Sequence, residues 1–353
     1  MTLDLEALAK SLRTHPSLRS KLAIGQATAA LGLCGDSLGH PGDDAAVLPR
    51  ADGYDLLAGE GFIPAFVQDD PWFAGWCGVM VNLSDIAAMG GRAVALIDQI
   101  WAPDAKTAAP LLAGLREAAD AYGVPMVGGH TNFAARELSL AVSVMGRAKT
   151  LISSFTARPG ERLIAAYDPR GTYRNFDNFC AALDAPHDRL RGDLALLPAL
   201  SEAGLVRAGK DISQGGIIGT ALMLAECSSA GIEIDLDRIT PPQGVPLERW
   251  LRSFPSFGFL LTAAPEQTDR LCAQFHARDL RQHLFARCGH HRLHIANRGA
   301  GEGHDDVGHG HVDLWLFFTW RDQHREDAQQ QCHQRQQRRD LRALEQAGDA
   351  ARD

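Results

Sequence analysis

The chain has 353 residues, which is long enough for two domains with sizeable cores. Its 35 basic and 43 acidic residues leave a formal net charge of −8, so no basic excess argues for a nucleic-acid partner. The seven scattered cysteines show no CxxC spacing, and they predict neither a disulfide framework nor a zinc site. Without a signal-peptide pattern or an apolar run of membrane-spanning length, we expect a cytoplasmic protein of enzyme size.

The first predicted elements lead to a pair of adjacent carboxylates. Apolar residues at helical spacing predict helices across residues 3–31, and a glycine-rich stretch that contains Cys34 follows. Asp43 and Asp44 then precede an apolar run at 45–48, which predicts that both acids lie where a loop enters a sheet. If these acids converge with others they repel, and a Mg²⁺ ion with phosphate oxygens would relieve that repulsion.

Acidic side chains also interrupt the next strand and helix. In the strand predicted from Asp55 to Phe62, Glu60 stands between two glycines, either as a ligand-facing carboxylate or as a charged turn residue. An apolar stripe predicts a core helix over residues 72–90, which Asn82 and Asp85 interrupt. A buried carboxylate is costly unless it is paired or metal-bound, so a functional role is favoured for Asp85. Asn82 has an equally good interpretation as a structural hydrogen-bonding residue.

A strand, an amphipathic helix and a further strand are predicted over residues 93–127. The last of these runs into Gly128, Gly129 and His130, which we expect at the strand end. Two adjacent glycines there allow the backbone to approach a ligand closely. His130 is therefore either a site residue or a structural histidine.

The polar and Pro-Gly-containing stretch at 153–160 predicts the boundary between two domains. In the second domain, Asp211 is followed by Ser213, Gly215 and Gly216 and then by a strongly apolar helix. A Gly-Gly turn at a helix N-terminus is a natural anion site, because free amides and the helix dipole point at the ligand. Ser213 is alternatively a simple helix N-cap.

Two later segments show weaker patterns. The polar segment at 168–186 predicts a long loop, and from Arg278 onward the regular apolar patterns mostly disappear. Ten of the fourteen histidines lie from His276 to the end, and glutamine is also concentrated there. A metal-binding tail, ordinary disorder and a slip of the reading frame are three interpretations of this composition. We hypothesise the slip, which places the end of the second domain at residue 277 and an irregular tail at 278–353.

Four of these segments, in this order, resemble the motifs of the AIR synthase (PurM-type) superfamily. They are Gly42-Asp43-Asp44-Ala45-Ala46-Val47, Val81-Asn82-Leu83-Ser84-Asp85-Ile86-Ala87-Ala88-Met89-Gly90, Val127-Gly128-Gly129-His130-Thr131 and Asp211-Ile212-Ser213-Gln214-Gly215-Gly216. The superfamily includes aminoimidazole ribonucleotide synthase, thiamine-monophosphate kinase, selenophosphate synthetase and the hydrogenase maturation protein HypE. The resemblance covers residues 20 to about 276 and is greatest to the AIR synthase-like proteins of that superfamily whose function is uncharacterised.

The resemblance implies an α/β (α+β) fold of two PurM-like domains. Residues 1–155 would bind ATP and metal and would dimerise through their sheet, which forms a barrel with that of the partner. Residues 156–277 would form a mixed sheet with helices, and ATP would lie between the two domains.

The resemblance also implies roles for individual residues. The metal ligands would be Asp43, Asp44, Glu60, Asp85 and Asp211. The catalytic residues would be Asp44, Asp85 and His130. The nucleotide would contact Gly42, Asn82, Gly128, Gly129, Ser213, Gly215 and Gly216.

The chain departs from each characterised branch of the superfamily. It has Ala58-Gly59-Glu60 where thiamine-monophosphate kinases carry Ser/Thr-Thr-Asp, and Gln214 where they carry an aspartate. No lysine follows Cys34 closely, as it does in the selenophosphate branch, and the last residues lack the cysteine of HypE. A Walker motif is absent too. We expect an ATP- and Mg²⁺-dependent enzyme, a kinase or synthetase that phosphorylates a small metabolite as a homodimer. The alternative is a nucleotide- or metabolite-binding protein of the same fold without turnover.

Overall fold

The computed structural model of the chain describes residues 4–21, 24, 42–174, 176–289, 293–297 and 310–313. The helices are α1 Leu5–Thr14, α2 Pro64–Asp69, α3 Pro71–Ala88, α4 Ala105–Tyr122, α5 His187–Glu202, α6 Gly216–Ser228, α7 Leu247–Arg252 and α8 Thr268–His276. Residues 16–21 are helical as well, and short 3₁₀ turns occupy Leu236–Arg238 and Pro265–Gln267. Among the described helices, none combines the length and apolarity that a membrane crossing needs.

The strands form one sheet in each domain and a small third sheet. In the first domain they are β1 Ala46–Arg50, β2 Gly53–Gly61, β3 Arg92–Trp101, β4 Met126–Asn132 and β5 Ser139–Ala148. In the second they are β6 Arg162–Tyr167, β7 Thr172–Tyr173, β8 Asn178–Cys180, β9 Gly209–Asp211, β10 Gly231–Asp235, β11 Phe254–Pro255, β12 Gly258–Ala263, β13 Arg281–Gly289, β14 Leu293–Asn297 and β15 Gly310–Asp313. The mixture of sheets and helices in two domains confirms the predicted fold class.

The first domain is a five-stranded sheet with helices on one face. The strand order is β1-β2-β5-β3-β4, and only the β3–β4 pair is parallel. Helix α3 begins at Pro71, where the Asp70 side chain accepts a hydrogen bond from the Phe73 amide at 3.2 Å. Glycines let α3 and α4 cross closely, since a Cβ on Gly75 would overlap the Leu111 carbonyl. This tight packing fixes α3 against the sheet and so fixes its polar residues.

The other face of this sheet is open in the single chain. Leu57, Ile97 and Val127 lie on β2, β3 and β4 and are 53%, 40% and 64% exposed. Every residue of β4 after Met126 is exposed. The dimer barrel expected from the resemblance needs a second chain, so it stays a prediction.

The second domain has a seven-stranded sheet in the order β15-β14-β10-β13-β6-β12-β9. Strand β6 is buried on both faces because its residues alternate between two apolar clusters. Leu163 and Tyr167 join a cluster with α1 and α6, whereas Ile164 and Ala166 join a cluster with α5 and α8. The end of α3 also packs into the latter cluster through Ala87, and this contact joins the two domains.

Two expectations from the sequence need correction, the end of the second domain and a predicted loop. Strand β13 lies beyond residue 277, yet it pairs with β6 and β10 in the middle of the sheet, so the second domain continues to Gly289 at least. Its histidines and arginines obscured the buried positions Ala286 and Cys288. The expected loop at 168–186 contains β7 and β8, which pair with each other, and β8 also pairs with β11.

Some expectations fall on residues that the structure does not describe. The glycine-rich stretch at 31–41 with Cys34 lies outside the described residues, as does the end of the helical region at 25–31. The hypothesis of a reading-frame slip concerns residues 278–353, of which 290–292, 298–309 and 314–353 also lie outside the described residues.

Candidate metal and nucleotide site

Three carboxylates from distant parts of the chain meet between the two domains. Asp44 lies in the loop before β1, Asp85 near the end of α3, and Asp211 at the end of β9. Each contributes an oxygen, and these oxygens all lie within 4.8 Å of one another. Asp85 and Asp211 are buried, and Asp44 is half-buried. We call these three residues the acid cluster.

The carboxylate of Asp43 does not join the acid cluster. It accepts hydrogen bonds from Ser153 Oγ at 2.9 Å and from the Ser154 amide at 2.6 Å, both in the segment that joins the domains. The two neighbouring carboxylates therefore have different partners, since Asp44 contacts Lys210 and Asp211 of the second domain. Asp43 was expected as a metal ligand, but the structure makes it the anchor of the loop that carries Asp44.

The loop is also shaped by Gly42. Its backbone has φ +135°, and a Cβ there would come within 2.8 Å of Cys227 Sγ. Glycine is therefore required by conformation and by packing. The structure explains Gly42 through the path of the loop, and its expected contact with the nucleotide stays a prediction.

Two hydrogen bonds fix the orientation of Asp44. Its Oδ1 accepts from the Lys210 ammonium and its Oδ2 accepts from the Asp211 amide at 3.1 Å. Lys210 also donates to the Gly42 carbonyl at 2.9 Å and is only 3% exposed. Burial lowers the pKa of Lys210, but Asp44 and Asp211 more than offset this, so the pKa lies above its ordinary value. Sequence reasoning missed Lys210, although its position directly before Asp211 was an available signal.

The acid cluster is electrostatically unfavourable when its carboxylates are ionised. Burial, followed by the charges of Asp211, Glu60 and Asp44, raises the pKa of Asp85 well above its usual range. Burial and then the charge of Asp44 raise the pKa of Asp211 to about 7. A bound cation would relieve both costs, and the donor set of carboxylate oxygens is the kind that Mg²⁺ prefers. The residues present therefore fit a divalent ion.

Asn82 lies one helical turn before Asp85, so both residues share a face of α3. Its Nδ2 donates to the Gly78 carbonyl at 2.7 Å, which supports the structural interpretation of this residue. Its Oδ1 is fully buried and has no hydrogen-bond partner within the described part of the chain. Since buried acceptors are nearly always satisfied, this oxygen is available to a ligand.

Glu60 and two further residues flank the acid cluster. Burial raises the pKa of the Glu60 carboxyl and the nearby Lys21 lowers it, although Glu60 as a residue keeps contact with solvent. Lys21 Nζ donates to Ser213 Oγ at 2.6 Å. Lys21 was not expected from the sequence, because its approach to Ser213 joins residues that are 192 positions apart.

The Gly-Gly turn lies beside these residues at the start of α6. Gly215 and Gly216 have φ of +94° and +64°, and a Cβ on Gly216 would overlap the Leu251 carbonyl. Gly215 is the N-cap, and no side chain in the described part of the chain caps this helix, so the N-cap interpretation of Ser213 is wrong. The first amides of α6 are therefore free of capping side chains, as an anion site requires.

His130 and the neighbouring glycines lie on β4, and His130 is not part of the acid cluster. They occupy the middle of β4, which continues to Asn132, and not its end as expected. Gly129 has a packing reason, since a Cβ there would overlap the Asp98 carboxylate of β3. Gly128 and His130 are exposed, and their predicted roles in nucleotide binding and catalysis stay predictions.

Comparisons with known families follow this division into domains. Residues 42–148 match the model of the AIR synthase related protein, N-terminal domain. Residues 184–289 match that of the AIR synthase related protein, C-terminal domain, which also includes β13. These two matches contain Asp44, Asp85 and Asp211.

Several curated proteins resemble the chain. It is 47% identical over 241 residues to the uncharacterized protein sll0787 of Synechocystis sp., covering 68% of this chain and 75% of that protein. It is 33% identical over 216 residues to a selenide, water dikinase of Geobacter metallireducens, covering 58% of this chain and 62% of that protein. It is 28% identical over 255 residues to a thiamine-monophosphate kinase of Halobacterium salinarum, covering 68% of this chain and 86% of that protein.

A solved structure shares the fold. PurL of T. maritima, determined as a complex with ADP, superposes with a TM-score of 0.66 at 20% sequence identity. The match covers 82% of this chain and 48% of the PurL chain, so this chain spans about half the length of that protein. Both domains, the order of the motifs and the fold agree, and the chain therefore belongs to the AIR synthase related family.

Proposed function

We propose that the chain is an ATP- and Mg²⁺-dependent phosphoryl-transfer enzyme that acts on a small metabolite. The observation that carries this proposal is the convergence of Asp44, Asp85 and Asp211 within 4.8 Å between the two domains. The names of the related kinase and dikinase, and the ADP complex of PurL, support a nucleotide as one substrate.

The arrangement assigns a task to each group. Asp44, Asp85 and Asp211 would hold Mg²⁺, with Glu60 at the rim. A bound ion would neutralise charge on the phosphate chain of the nucleotide. The first amides of α6 and the Lys21 ammonium would bind phosphate oxygens at the Gly215–Gly216 turn. Catalysis by such groups consists of positioning and electrostatic stabilisation.

The same proposal includes a homodimer in the cytoplasm. The uncovered face of the first sheet presents the exposed apolar side chains of Leu57, Ile97 and Val127, and exposed apolar side chains grouped on one face are typical of an interface. A second chain on this face would bring another copy of β4, with Gly128, Gly129 and His130, into the assembly. Their role as nucleotide-binding and catalytic residues depends on that contact.

The direct test is calorimetric titration of the protein with ATP, with and without Mg²⁺, for the wild type and for Asp44→Asn. We expect the substitution to weaken Mg·ATP binding on the order of tenfold or more, because it removes one ligand charge. Asp269→Asn is a matched control at an exposed position of α8, outside the acid cluster, and its affinity should equal that of the wild type. Equal affinities in all three proteins would show that the acid cluster is not the site.

A second candidate is a nucleotide-binding protein of the same fold without turnover. Gln214 is exposed beside the glycine turn. By the resemblance described above, thiamine-monophosphate kinases carry an aspartate at this position, and its absence here favours the binding protein. Phosphate release measured across a panel of metabolites separates the two. Turnover with any acceptor supports the enzyme, whereas tight Mg·ATP binding without phosphate release throughout supports the binding protein.

A further inference from the structure

A buried lysine, Lys210, lies against the acid cluster, and the proposed reaction assigns it no role. The Lys210 ammonium lies between the Asp44 carboxylate and the Gly42 carbonyl, and the residue is 3% exposed. Lys210 belongs to β9 of the second domain, while both of its partners belong to the loop before β1 in the first domain. It is therefore an enclosed positive charge at the junction of the two domains.

The charges of the site can be counted. Asp44, Asp85, Asp211 and Glu60 supply four negative charges when all are ionised, as metal ligation requires. Lys210 and Lys21 supply two positive charges, and both lie close enough to act on the carboxylates of the site. Two negative charges remain on these protein groups, before the charges of a nucleotide are added, and one divalent ion balances them. Without Lys210, three would remain, and one divalent ion would no longer suffice.

The contacts of Lys210 show how it acts on Asp44. Each Asp44 oxygen already accepts one hydrogen bond, Oδ1 from Lys210 and Oδ2 from the Asp211 amide. A buried ammonium is costly to desolvate and stays in place only when it is well paired, as it is here with a carboxylate and a carbonyl. Its charge is thus present at every metal concentration, unlike that of an ion that dissociates.

From these contacts we propose that Lys210 takes the place of one divalent metal ion in the acid cluster. The proposal rests on the proposed function, since it assumes that the cluster binds metal with a nucleotide. Lys210 is a positioning residue: it holds Asp44 and supplies charge to the cluster, and it touches neither the nucleotide nor the acceptor.

The test replaces the charge but keeps a hydrogen-bond donor. In Lys210→Gln, the amide can still donate to the Gly42 carbonyl, and its oxygen is a neutral ligand of the kind that hard cations accept. Bound Mn²⁺ is counted by electron paramagnetic resonance of the 353-residue chain, saturated with a non-hydrolysable ATP analogue. We expect the variant to bind one more Mn²⁺ per chain than the wild type.

Two further variants complete the test. Lys149→Gln removes the same charge from an exposed position and should leave the count at the wild-type value. Lys210→Arg keeps the charge and should also leave the number of bound Mn²⁺ ions unchanged. This prediction can be tested even if Lys210→Gln does not fold. An unchanged number of bound Mn²⁺ ions in folded Lys210→Gln would overturn this inference, and so would an additional ion in Lys210→Arg. Neither result would affect the proposed function. A wild-type protein that binds no Mn²⁺ would overturn the proposed function as well.

Discussion

Replacing Asp85 by asparagine should change stability in opposite directions with and without metal. In the metal-free protein the ionised Asp85 lies within 4.8 Å of the Asp44 and Asp211 oxygens. At an effective dielectric of 20, each such pair costs about 3 kcal/mol. Because the raised pKa of Asp85 already relieves part of this cost, we expect a net gain of about 3 kcal/mol from Asp85→Asn at pH 8. For a protein of this size that corresponds to a rise in Tm of about 4 °C.

With metal bound, the wild type should have a higher Tm than Asp85→Asn. Mg²⁺ with ADP stabilises the wild type by binding only the folded state, and Asp85→Asn removes a ligand, so its Tm should respond little to metal. Differential scanning calorimetry at pH 8, with chelator or with Mg²⁺ and ADP, measures both effects.

The matched control is Asp193→Asn, the same substitution at an equally buried residue. The Asp193 carboxylate accepts from Arg278 Nε at 2.6 Å, so this variant should lose about 2 kcal/mol whether or not metal is present. The reasoning fails if Asp85→Asn lowers the Tm of the metal-free protein, or if its Tm rises with metal as much as that of the wild type.

Three further predictions concern pH, the glycine turn and Lys21. Since the pKa of Asp211 lies at about 7 in the folded protein, above its unfolded value of 3.8, metal-free stability should fall as pH rises from about 4 to about 7. Urea unfolding should show the protein more stable at pH 5 than at pH 8 by up to about 3 kcal/mol, and by much less in Asp211→Asn. Gly216→Ala should cost about 2 kcal/mol or more and weaken ADP binding, because the substitution combines a left-handed φ with overlap of the Leu251 carbonyl. Lys21→Met should weaken ADP binding about tenfold in calorimetry, since it removes a cation beside Ser213.

Each of these predictions has a control in the chain. Gly160→Ala tests backbone strain alone, because Gly160 has φ +92° with open space around it, and it should leave ADP affinity unchanged. Lys10→Met removes an exposed lysine of α1 and should not affect the nucleotide. A metal-free protein that is equally stable at pH 5 and pH 8 would contradict the account of Asp211.

The fold and the acids of the site follow from local sequence, whereas their partners do not. Asp85 could be recognised because a carboxylate inside an apolar helical stripe needs a compensating partner. Asp44 and Asp211 could be recognised through glycine-marked turns next to short strands. The different roles of Asp43 and Asp44 could not be predicted, because they depend on which of the two neighbouring side chains faces Asp211 in the second domain.

The two lysines and the last strands needed the structure. Lys210 and Lys21 reach partners 166 and 192 positions away, and no local pattern encodes such contacts. Strand β13 was missed because its polar residues hide the alternation of the few that are buried, such as Ala286 and Cys288. An irregular composition is therefore a weak reason to end a domain when the sheet still lacks a central strand.

The central claim is that Asp44, Asp85 and Asp211 together hold a divalent ion for the phosphates of a nucleotide. Anomalous diffraction from crystals grown with Mn²⁺ and a non-hydrolysable ATP analogue tests this claim most directly. We predict an anomalous peak within ligand distance of all three carboxylates and next to the phosphates. A nucleotide bound elsewhere, or a metal-free cluster in crystals that contain the nucleotide, would contradict it.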